Sequence, residues 1–405
     1  MCVEPLGAQA ACFFAYPQEL PLKRELTIVG ASVRAAAQSA VRAGFTVHAA
    51  DLFADQDVRQ VCHAEAVADY PAGLSHVVAG PQTGGWMFTG ALENSPQLID
   101  RLATIRPLLG NQGSALREVR RADLVEQSLR NTGLLAPEVR MNRAIVGPGW
   151  LRKPLRSAGG AQIATCDEPD LGERIEPAEY YCQRFVAGAP CSAAYLTAHG
   201  QARLLGVTRQ LIGERWTGAS GFRYCGSIGP LALENEQFAV FERIGQVLAQ
   251  RFALVGLFGV DAIVNQLGVW TVEVNPRYTA SMELLEASLS TSLIDLHVRA
   301  CVAGELPADD VAFGPTTAAF GKAIVYAEHA FSLEENWAPL AALRTDGSRL
   351  ADIPAPGTRF QFGWPVVTVL TSGDDEQQVL AGLRQRVTEV QRLIAAQPRL
   401  AVAAR

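Results

Sequence analysis

The stretch that decides the fold is GVDAIVNQLGVWTVEVNPRYTASME, which runs from Gly259 to Glu283. It contains two short apolar runs rich in β-branched residues, separated by the tripeptide QLG. This pattern predicts a β-hairpin. Each predicted strand carries one carboxylate, Asp261 on the first and Glu273 on the second. Because buried carboxylates are costly unless they meet a cation, the hairpin indicates a metal ion or a strongly basic partner.

The second predicted strand ends in the string EVNPR, which places Glu273, Asn275 and Arg277 at alternating positions. Alternate residues of a strand share one face. That face can offer oxygen ligands to a hard cation while the guanidinium meets a phosphate. The pattern therefore points to nucleotide chemistry. The plainer interpretation is a structural ion pair between Asp261 and Arg277.

Composition restricts the class of protein further. A chain of 405 residues predicts two to four domains, and 49% hydrophobic with 19% charged residues is typical of a folded globular protein. The net charge of −6 argues against a nucleic-acid binder. We see no apolar run of membrane-spanning length and no secretory leader pattern. The eight cysteines form no CxxC pair, which favours free thiols and a cytoplasmic protein.

The N-terminal part predicts a parallel sheet. A strand at 25–30, a helix at 33–43 and a strand at 45–53 make a β-α-β unit, and 74–79 is expected to add another strand. The turn after the first strand fits either tight packing or a dinucleotide site with Asp51 on the ribose. Packing is favoured because the turn has one glycine where the dinucleotide fingerprint needs three.

A second chemical feature precedes the hairpin. Lys153 lies on a predicted strand, and the small residues Ser157, Ala158, Gly159 and Gly160 follow it. Backbone N–H groups of such a loop can approach phosphate oxygens while the ammonium neutralises them. A β-turn with an exposed lysine explains the same residues. The order of a Walker A loop is absent.

The rest of the chain alternates strands and helices. Strands between 179 and 208 predict an antiparallel sheet. Residues 238–252 predict an amphipathic helix, and the stretch 115–133 and residues 288–303 are also expected to be helical. The C-terminal hundred residues predict strands punctuated by proline and glycine, then a helix at 376–395.

Taken together, these features resemble the ATP-grasp superfamily over roughly 115–303. Lys153 with the loop 157–160 is similar to the phosphate-binding lysine and glycine loop of the family's flexible lid. The string at 183–188 is similar to the hinge strand whose backbone pairs with adenine, and 206–210 to the strand that borders the acceptor site. The family's metal and phosphate cluster is matched by Asp261, Glu273, Asn275 and Arg277.

The resemblance implies a mixed α/β and α+β architecture with the ATP-grasp fold. We expect an extension at 1–24, a Rossmann-like domain at 25–112, an ATP-grasp domain at 113–305 with its lid at roughly 140–185, and a small β-rich C-terminal domain at 306–405. The expected nucleotide contacts are Lys153, Ser157, Gly159, Gly160, Gln183, Arg184, Phe185 and Val186. The expected metal ligands are Asp261, Glu273 and Asn275, which would hold one or two Mg²⁺, with Mn²⁺ as a substitute. The expected catalytic residues are Lys153, Arg277 and Arg209.

The activity implied by the resemblance is that of a carboxylate–amine ligase, in which ATP converts an acid to an acyl phosphate that an amine then attacks. The expected partners are small acids and amines, not nucleic acid or a membrane, and the expected assembly is a homodimer. Some similar carboligases belong to tetrahydromethanopterin- or methanofuran-type one-carbon cofactor pathways, which implies a role in cofactor biosynthesis. The family has a second basic residue before the lid, for which Arg120 and Arg121 are candidates.

Three alternatives stay open on sequence alone. The first is a carboxylase of the biotin-carboxylase type, but those relatives carry a glutamate four residues after the motif's arginine, where this chain has Ser281. Glu283 follows two residues later, which on a strand would place it on the same face, about 7 Å away. The second is an ATP-binding regulatory protein without turnover. The third is a nicotinamide-dependent oxidoreductase, which the missing glycines disfavour.

Overall fold

The computed structural model describes residues 24–141, 145, 147–167, 179–289, 291–307, 318–334 and 349–400. The expected extension at 1–24 therefore lies almost wholly outside the described residues, as do parts of the expected lid. None of the described helices is both long enough and apolar enough to cross a membrane. The six cysteines within these ranges carry free thiols, as expected.

The N-terminal part is a four-stranded parallel sheet in the order β3-β2-β1-β4. Its strands are β1 (Glu25–Val29), β2 (Thr46–Asp51), β3 (His63–Ala66) and β4 (Gly85–Phe88). Its helices are α1 (Arg34–Arg42), α2 (Gln56–Arg59), α3 (Leu74–Val78) and α4 (Pro96–Ala103). The predicted β-α-β unit at 25–53 is confirmed.

The strand predicted at 74–79 is wrong, because these residues form α3. The buried apolar side chains Leu74, Val77 and Val78 follow helical spacing, a pattern that a five-residue segment hardly distinguishes from a strand. The fourth strand is instead β4, which begins directly after Gly84. A Cβ atom at Gly84 would lie 1.9 Å from the carbonyl oxygen of Glu25, so only glycine lets the chain approach β1 this closely.

The second large unit is an eight-stranded sheet in the order β13-β12-β9-β10-β11-β14-β18-β16, antiparallel throughout. Its strands are β9 (Ala189–Ala198), β10 (Gln201–Ile212), β11 (Tyr224–Gly229), β12 (Gly256–Asn265), β13 (Gly268–Asn275), β14 (Ala319–Tyr326), β16 (Arg349–Ala351) and β18 (Pro365–Gly373). Strands β15 (Phe331–Ser332) and β17 (Arg359–Phe360) pair separately. The C-terminal strands thus extend the sheet that contains the hairpin; the expected domain boundaries stay predictions.

The hairpin predicted from 259–283 is confirmed as β12 and β13. Asp261 lies directly opposite Glu273, and the register shifts immediately after Asp261. A bulge at this point increases the local twist and re-aims side chains, which is common beside functional sites. The two carboxylates therefore lie on neighbouring strands, as the sequence predicts.

Six helices accompany the large sheet or connect it to the N-terminal unit. They are α5 (Gly113–Val119), α6 (Ala122–Arg130), α7 (Asn235–Phe252), α8 (Met282–Leu289), α9 (Leu293–Ala303) and α10 (Glu376–Ala395). The stretch 115–133 is two helices that break at Arg120. The helix predicted at 376–395 is confirmed. Glu283 lies on helix α8, so the strand geometry assumed for it was wrong.

The α7 helix packs its apolar face on the sheet. Phe241, Ile244, Leu248 and Phe252 are buried there, and Tyr195 of β9 stacks on Phe258 of β12 with ring centroids 4.8 Å apart. Phe238, in the first turn of this helix, is 40% exposed.

A smaller four-stranded sheet lies over one end of the large one, in the order β5-β8-β6-β7. Its strands are β5 (Val139–Met141), β6 (Trp150–Pro154), β7 (Ala164–Thr165) and β8 (Tyr180–Arg184). We call this sheet and the loop 155–163 the lid sheet. Lys153 lies on β6, as predicted.

His297 connects the N-terminal unit to the large sheet. Its Nδ1 accepts a hydrogen bond from the backbone N–H of Leu257 at 2.9 Å, and its Nε2 lies 3.1 Å from the carbonyl oxygen of Leu109. The ring must be neutral, with its proton on Nε2, to make both bonds. Burial lowers the pKa of His297 to about 4.

This histidine is expected to make stability depend on pH. Because its folded-state pKa is depressed, its contribution is complete above the ordinary histidine pKa and is lost as pH falls from there toward 4. We compare the protein with His297→Asn by urea unfolding. The difference in unfolding free energy between the parent and His297→Asn is expected to decrease by about 2 kcal/mol from pH 8 to pH 5. A gap that stays constant with pH would contradict this role.

Candidate active site

A cleft of about 570 Å³ lies between the N-terminal sheet, the lid sheet and the large sheet. Twelve of the residues predicted from sequence line it together: Lys153, Ser157, Gly159, Gly160, Gln183, Arg184, Phe185, Val186, Asp261, Glu273, Asn275 and Arg277. The structure thus brings side chains from the lid and from the hairpin into one cavity.

Asp261 is the centre of a polar network at the base of the cleft. Its Oδ1 accepts a hydrogen bond from Gln210 Nε2 at 2.9 Å, and its Oδ2 accepts one from Asn275 Nδ2 at 3.1 Å. Arg277 Nη2 donates to Asn275 Oδ1 at 3.1 Å. Burial, and then the charge of Glu273, raise the pKa of Asp261 to about 6. A cation bound here would stabilise the charged form of Asp261 and lower its pKa again.

Glu273 has a cationic partner of its own. Arg120 Nη1 donates to its Oε1 at 2.8 Å. Burial opposes ionisation, but the charges of Arg120 and Lys153 outweigh it and lower the pKa of Glu273. Of the two candidate basic residues, Arg120 is the one that contacts the hairpin, whereas Arg121 pairs with Asp123 at an exposed position.

Lys153 is held by a chain of two hydrogen bonds that runs through Gln183. Its Nζ donates to Gln183 Oε1 at 3.1 Å, and Gln183 Nε2 donates in turn to the carbonyl oxygen of Val272 at 3.1 Å. Burial lowers the pKa of the ammonium, but Tyr181 and Glu273 outweigh it and raise that pKa above its usual value. The lysine therefore stays charged although it is only 7% exposed.

The glycine loop of the lid touches the large sheet. The carbonyl oxygen of Gly159 accepts a hydrogen bond from the N–H of Tyr224 at 3.0 Å. Gly160 has a φ of +72°, and a Cβ there would lie 1.9 Å from the carbonyl oxygen of Phe222. Both the backbone conformation and the close approach require glycine at this position.

Arg209 is the exception among the predicted residues. Its guanidinium contacts Glu376 at the start of α10, it is 41% exposed on its side chain, and it does not line the cleft. Neighbouring residues of a strand point to opposite faces, so Gln210 faces the cleft instead. The prediction of Arg209 as a catalytic residue is not supported by this placement.

Two residues that the sequence analysis missed lie beside the site. Glu93 Oε1 accepts from Arg277 Nε at 2.8 Å and from Nη2 at 2.7 Å. Asn94 Oδ1 accepts from Arg120 at 3.0 Å, and its Nδ2 donates to the carbonyl oxygen of Ser157 in the lid loop at 3.2 Å. In the sequence, Asn94 precedes a Ser-Pro pair that is typical of a helix start, and it carries no other signal. Both residues follow β4, at the carboxyl edge of the parallel sheet, where ligands of such sheets bind.

A buried ionic cluster closes the far end of the cleft. Arg34 Nη2 donates to Glu283 Oε2 at 3.0 Å, and its Nε donates to Asp352 Oδ1 at 2.9 Å. Lys322 Nζ also donates to Glu283, at 2.9 Å. The charges of Arg34 and Lys322 overcome burial and hold the pKa of Glu283 well below its usual range. This cluster joins α1, α8, β14 and the segment after β16.

Asp51 has a structural role at the first turn. Its carboxylate accepts backbone hydrogen bonds from Val33 and Phe53, both at 2.9 Å, and from Ala54 at 2.6 Å. The bond from Val33 holds the turn between β1 and α1, and the other two hold the turn after β2. This use of the carboxylate favours the packing interpretation over a dinucleotide site.

The oxygen ligands at the hairpin suit a nucleotide-bound cation. Among the described residues, no three His, Cys, Asp or Glu side chains gather into a ready-made metal site. Mg²⁺ is usually held by one or two carboxylates together with phosphate oxygens and water. Asp261 and Glu273, with the amide of Asn275, match that smaller set.

Comparison with known proteins agrees with this geometry. Residues 124–281 match the family described as the ATP-grasp domain. Over 171 residues the chain is 28% identical to the formate-dependent phosphoribosylglycinamide formyltransferase of Syntrophotalea carbinolica. That alignment covers 40% of the chain and 42% of the relative, so less than half of the relative's length is matched.

Solved structures resemble the chain over most of its length. The biotin carboxylase domain of the Hydrogenobacter thermophilus 2-oxoglutarate carboxylase, in complex with MgADP, ADP and bicarbonate, has a TM-score of 0.68 and 12% identity, covering 89% of this chain and 88% of that one. The L-amino acid ligase of Bacillus licheniformis has a TM-score of 0.66 and 16% identity, covering 90% and 97%. These likenesses confirm the predicted fold.

Proposed function

Because this chain contains an ATP-grasp domain, we propose that it is an ATP-dependent ligase. It activates a carboxylate as an acyl phosphate and joins it to an amine, releasing ADP and phosphate. The observation that carries the proposal is the meeting of Lys153, Arg277 and the acidic hairpin in one cleft under a glycine loop. Phosphoryl transfer depends mainly on positioning and charge neutralisation, and this cleft supplies both.

In this proposal the acidic residues of the cleft bind Mg²⁺ and the basic residues bind phosphate groups. Asp261, Glu273 and Asn275 would hold one or two Mg²⁺, which neutralise and orient phosphate oxygens. Lys153 neutralises the transferred phosphoryl group, and Arg277 binds the γ-phosphate or the acyl phosphate formed from it. Glu93 orients the guanidinium of Arg277 through the two hydrogen bonds that its Oε1 accepts.

The lid protects the intermediate. The Gly159–Gly160 backbone contacts Phe222 and Tyr224, so the loop lies over the part of the cleft next to these two residues. Closing such a site excludes water, which would otherwise hydrolyse an acyl phosphate. By resemblance, the adenine lies against the hinge strand at 183–186.

Ser281 disfavours the carboxylase alternative. Its hydroxyl is buried and lies 3.1 Å from Thr279 Oγ1 and 3.3 Å from Ser192 Oγ, so a neutral group occupies the place of the carboxylase glutamate. Glu283 cannot replace that glutamate, because it lies on α8 and is bound to Arg34 and Lys322. The link to one-carbon cofactor pathways rests on the sequence resemblance.

The test is an ATP turnover assay on the purified full chain. Candidate acids are supplied with Mg-ATP and hydroxylamine, which traps an acyl phosphate as a hydroxamate. We expect ADP and hydroxamate to appear together and to depend on the acid. ADP that depends on bicarbonate instead would assign the chain as a carboxylase. ATP binding without ADP across the panel would favour the regulatory alternative and contradict the ligase.

Asn94 is expected to couple the lid to the phosphate-binding residues. Asn94→Ala removes its hydrogen bonds to Arg120 and to Ser157, so we expect kcat/KM for ATP to fall about tenfold. The measurement is the initial rate of ADP release against ATP concentration. The matched control is Asn131→Ala, an exposed residue after α6. Equal losses in both variants, or none in Asn94→Ala, would contradict the coupling.

A further inference from the structure

On the cleft side of the large sheet, apolar residues follow polar ones along two strands, β10 and β14. On β10, Gln210 reaches Asp261, whereas Ile212, two residues further and about 7 Å away, also lines the cleft. Ile212 lies opposite Tyr224 of β11. On β14, Ile324 and Tyr326 follow Lys322 along the same cleft wall.

Two apolar residues of the cleft wall do not pack in the hydrophobic core of the protein. Ile212 and Phe222 are half-buried, line the cleft, and belong to none of the hydrophobic clusters formed by the described residues. Ligand pockets are typically lined by apolar side chains with a few polar groups that fix orientation. Cleft-facing apolar side chains that do not pack in the core are therefore best explained by a ligand.

The nucleotide is not that ligand. The proposed adenine contacts, Phe185 and Val186, follow strand β8 of the lid sheet and precede Gly188, whose backbone packs against Ile263 of β12. In the large sheet, β9 separates the hairpin from β10, and β11 and β14 lie further still from the hairpin. The apolar wall formed by Ile212, Phe222, Ile324 and Tyr326 thus begins where Phe222 meets the glycine loop and continues across β10, β11 and β14, away from the hairpin.

We propose that the acid activated by this chain carries an aliphatic or aromatic side chain, which packs on this apolar wall. This inference rests on the proposed ligase function and specifies its substrate class. The carboxylate of the acid lies near Arg277 and Asp261, where it is phosphorylated, and the carbon chain extends past Gln210 onto Ile212. The phosphoryl group passes from ATP to a carboxylate oxygen and leaves ADP; the amine then displaces phosphate from the acyl carbon.

The experiment compares matched acids in the hydroxamate assay with Mg-ATP. The apolar probes are leucine, phenylalanine and 3-phenylpropanoate; the polar probes are glutamate, aspartate and succinate. We expect kcat/KM to be at least about tenfold higher for the apolar set. A preference for the polar set overturns the inference and leaves the ligase function standing. If no acid yields hydroxamate while ATP binds, the ligase function fails, and the inference with it.

Two variants test whether the side chain of the acid binds on the apolar wall. Ile212→Ala is expected to raise KM for the preferred apolar acid about tenfold while KM for ATP stays unchanged. Ile105→Ala, at an exposed isoleucine far from the cleft walls, is the matched control and is expected to change neither value. Unchanged KM for the apolar acid in Ile212→Ala would overturn the assignment of the wall.

Discussion

Replacing Glu273 by glutamine is expected to lower ATP-dependent turnover about a thousandfold while the protein stays folded. Glutamine keeps the volume of the side chain and can still accept a hydrogen bond from Arg120. It removes the negative charge that a cation at the hairpin needs, and losing one such electrostatic group costs about 4 kcal/mol of transition-state stabilisation. Turnover is measured as ADP release with the preferred acid.

The control for this experiment is Glu236→Gln, which makes the same change at an exposed residue in the first turn of α7. Its turnover is expected to equal that of the parent. Circular dichroism and thermal unfolding of both variants show whether the fold is retained. Turnover of Glu273→Gln within tenfold of the parent would remove this carboxylate from the catalytic machinery.

Arg34→Met is expected to lower the free energy of unfolding by about 3 kcal/mol. Methionine retains much of the apolar stem but removes the guanidinium that binds Glu283 and Asp352. Arg34 is fully buried, so its loss leaves the buried Glu283 with Lys322 at 2.9 Å and the exposed Arg349 at 3.8 Å, and it deprives Asp352 of its guanidinium partner. Breaking a buried ion pair from one side is costly because the remaining charge stays desolvated.

Urea unfolding measures this effect. Arg117→Ala is the matched control, because Arg117 forms an ion pair with Asp100 at 2.8 Å with both side chains well exposed. Exposed pairs of this kind contribute less than about 1 kcal/mol. Equal unfolding free energies for the parent and Arg34→Met would show that the ionic cluster is not what joins the N-terminal unit to the rest of the chain.

The hairpin was predictable because all its information is local. The alternation on each strand, the turn and both carboxylates lie within one short stretch, and a strand pair of this kind fixes its own register. The helical identity of α3 was harder, since Leu74, Val77 and Val78 span a single turn. The choice between Arg209 and Gln210 depended on which face of β10 meets the cleft, and a shift of one residue reverses that face.

The partners of the site residues were not predictable from one sequence. Glu93 meets Arg277 across 184 positions, and Arg34 meets Glu283 across 249. Nothing in the local pattern around Glu93 or Arg34 distinguishes these two residues from ordinary surface or core positions. Such contacts exist only after the N-terminal sheet docks, which follows from the topology of the whole chain.

The continuity of the large sheet has a mechanical consequence. The carboxylates of β12 and β13, Gln210 on β10 and Ile324 on β14 lie on strands of one hydrogen-bonded sheet. A fluctuation of one strand is therefore carried to the next, and the spacing between the phosphate end and the apolar wall varies little. The lid strands form a sheet of their own. The cleft can thus open and close by movement of the lid sheet relative to the large sheet. The side chains on the large sheet then keep their mutual distances.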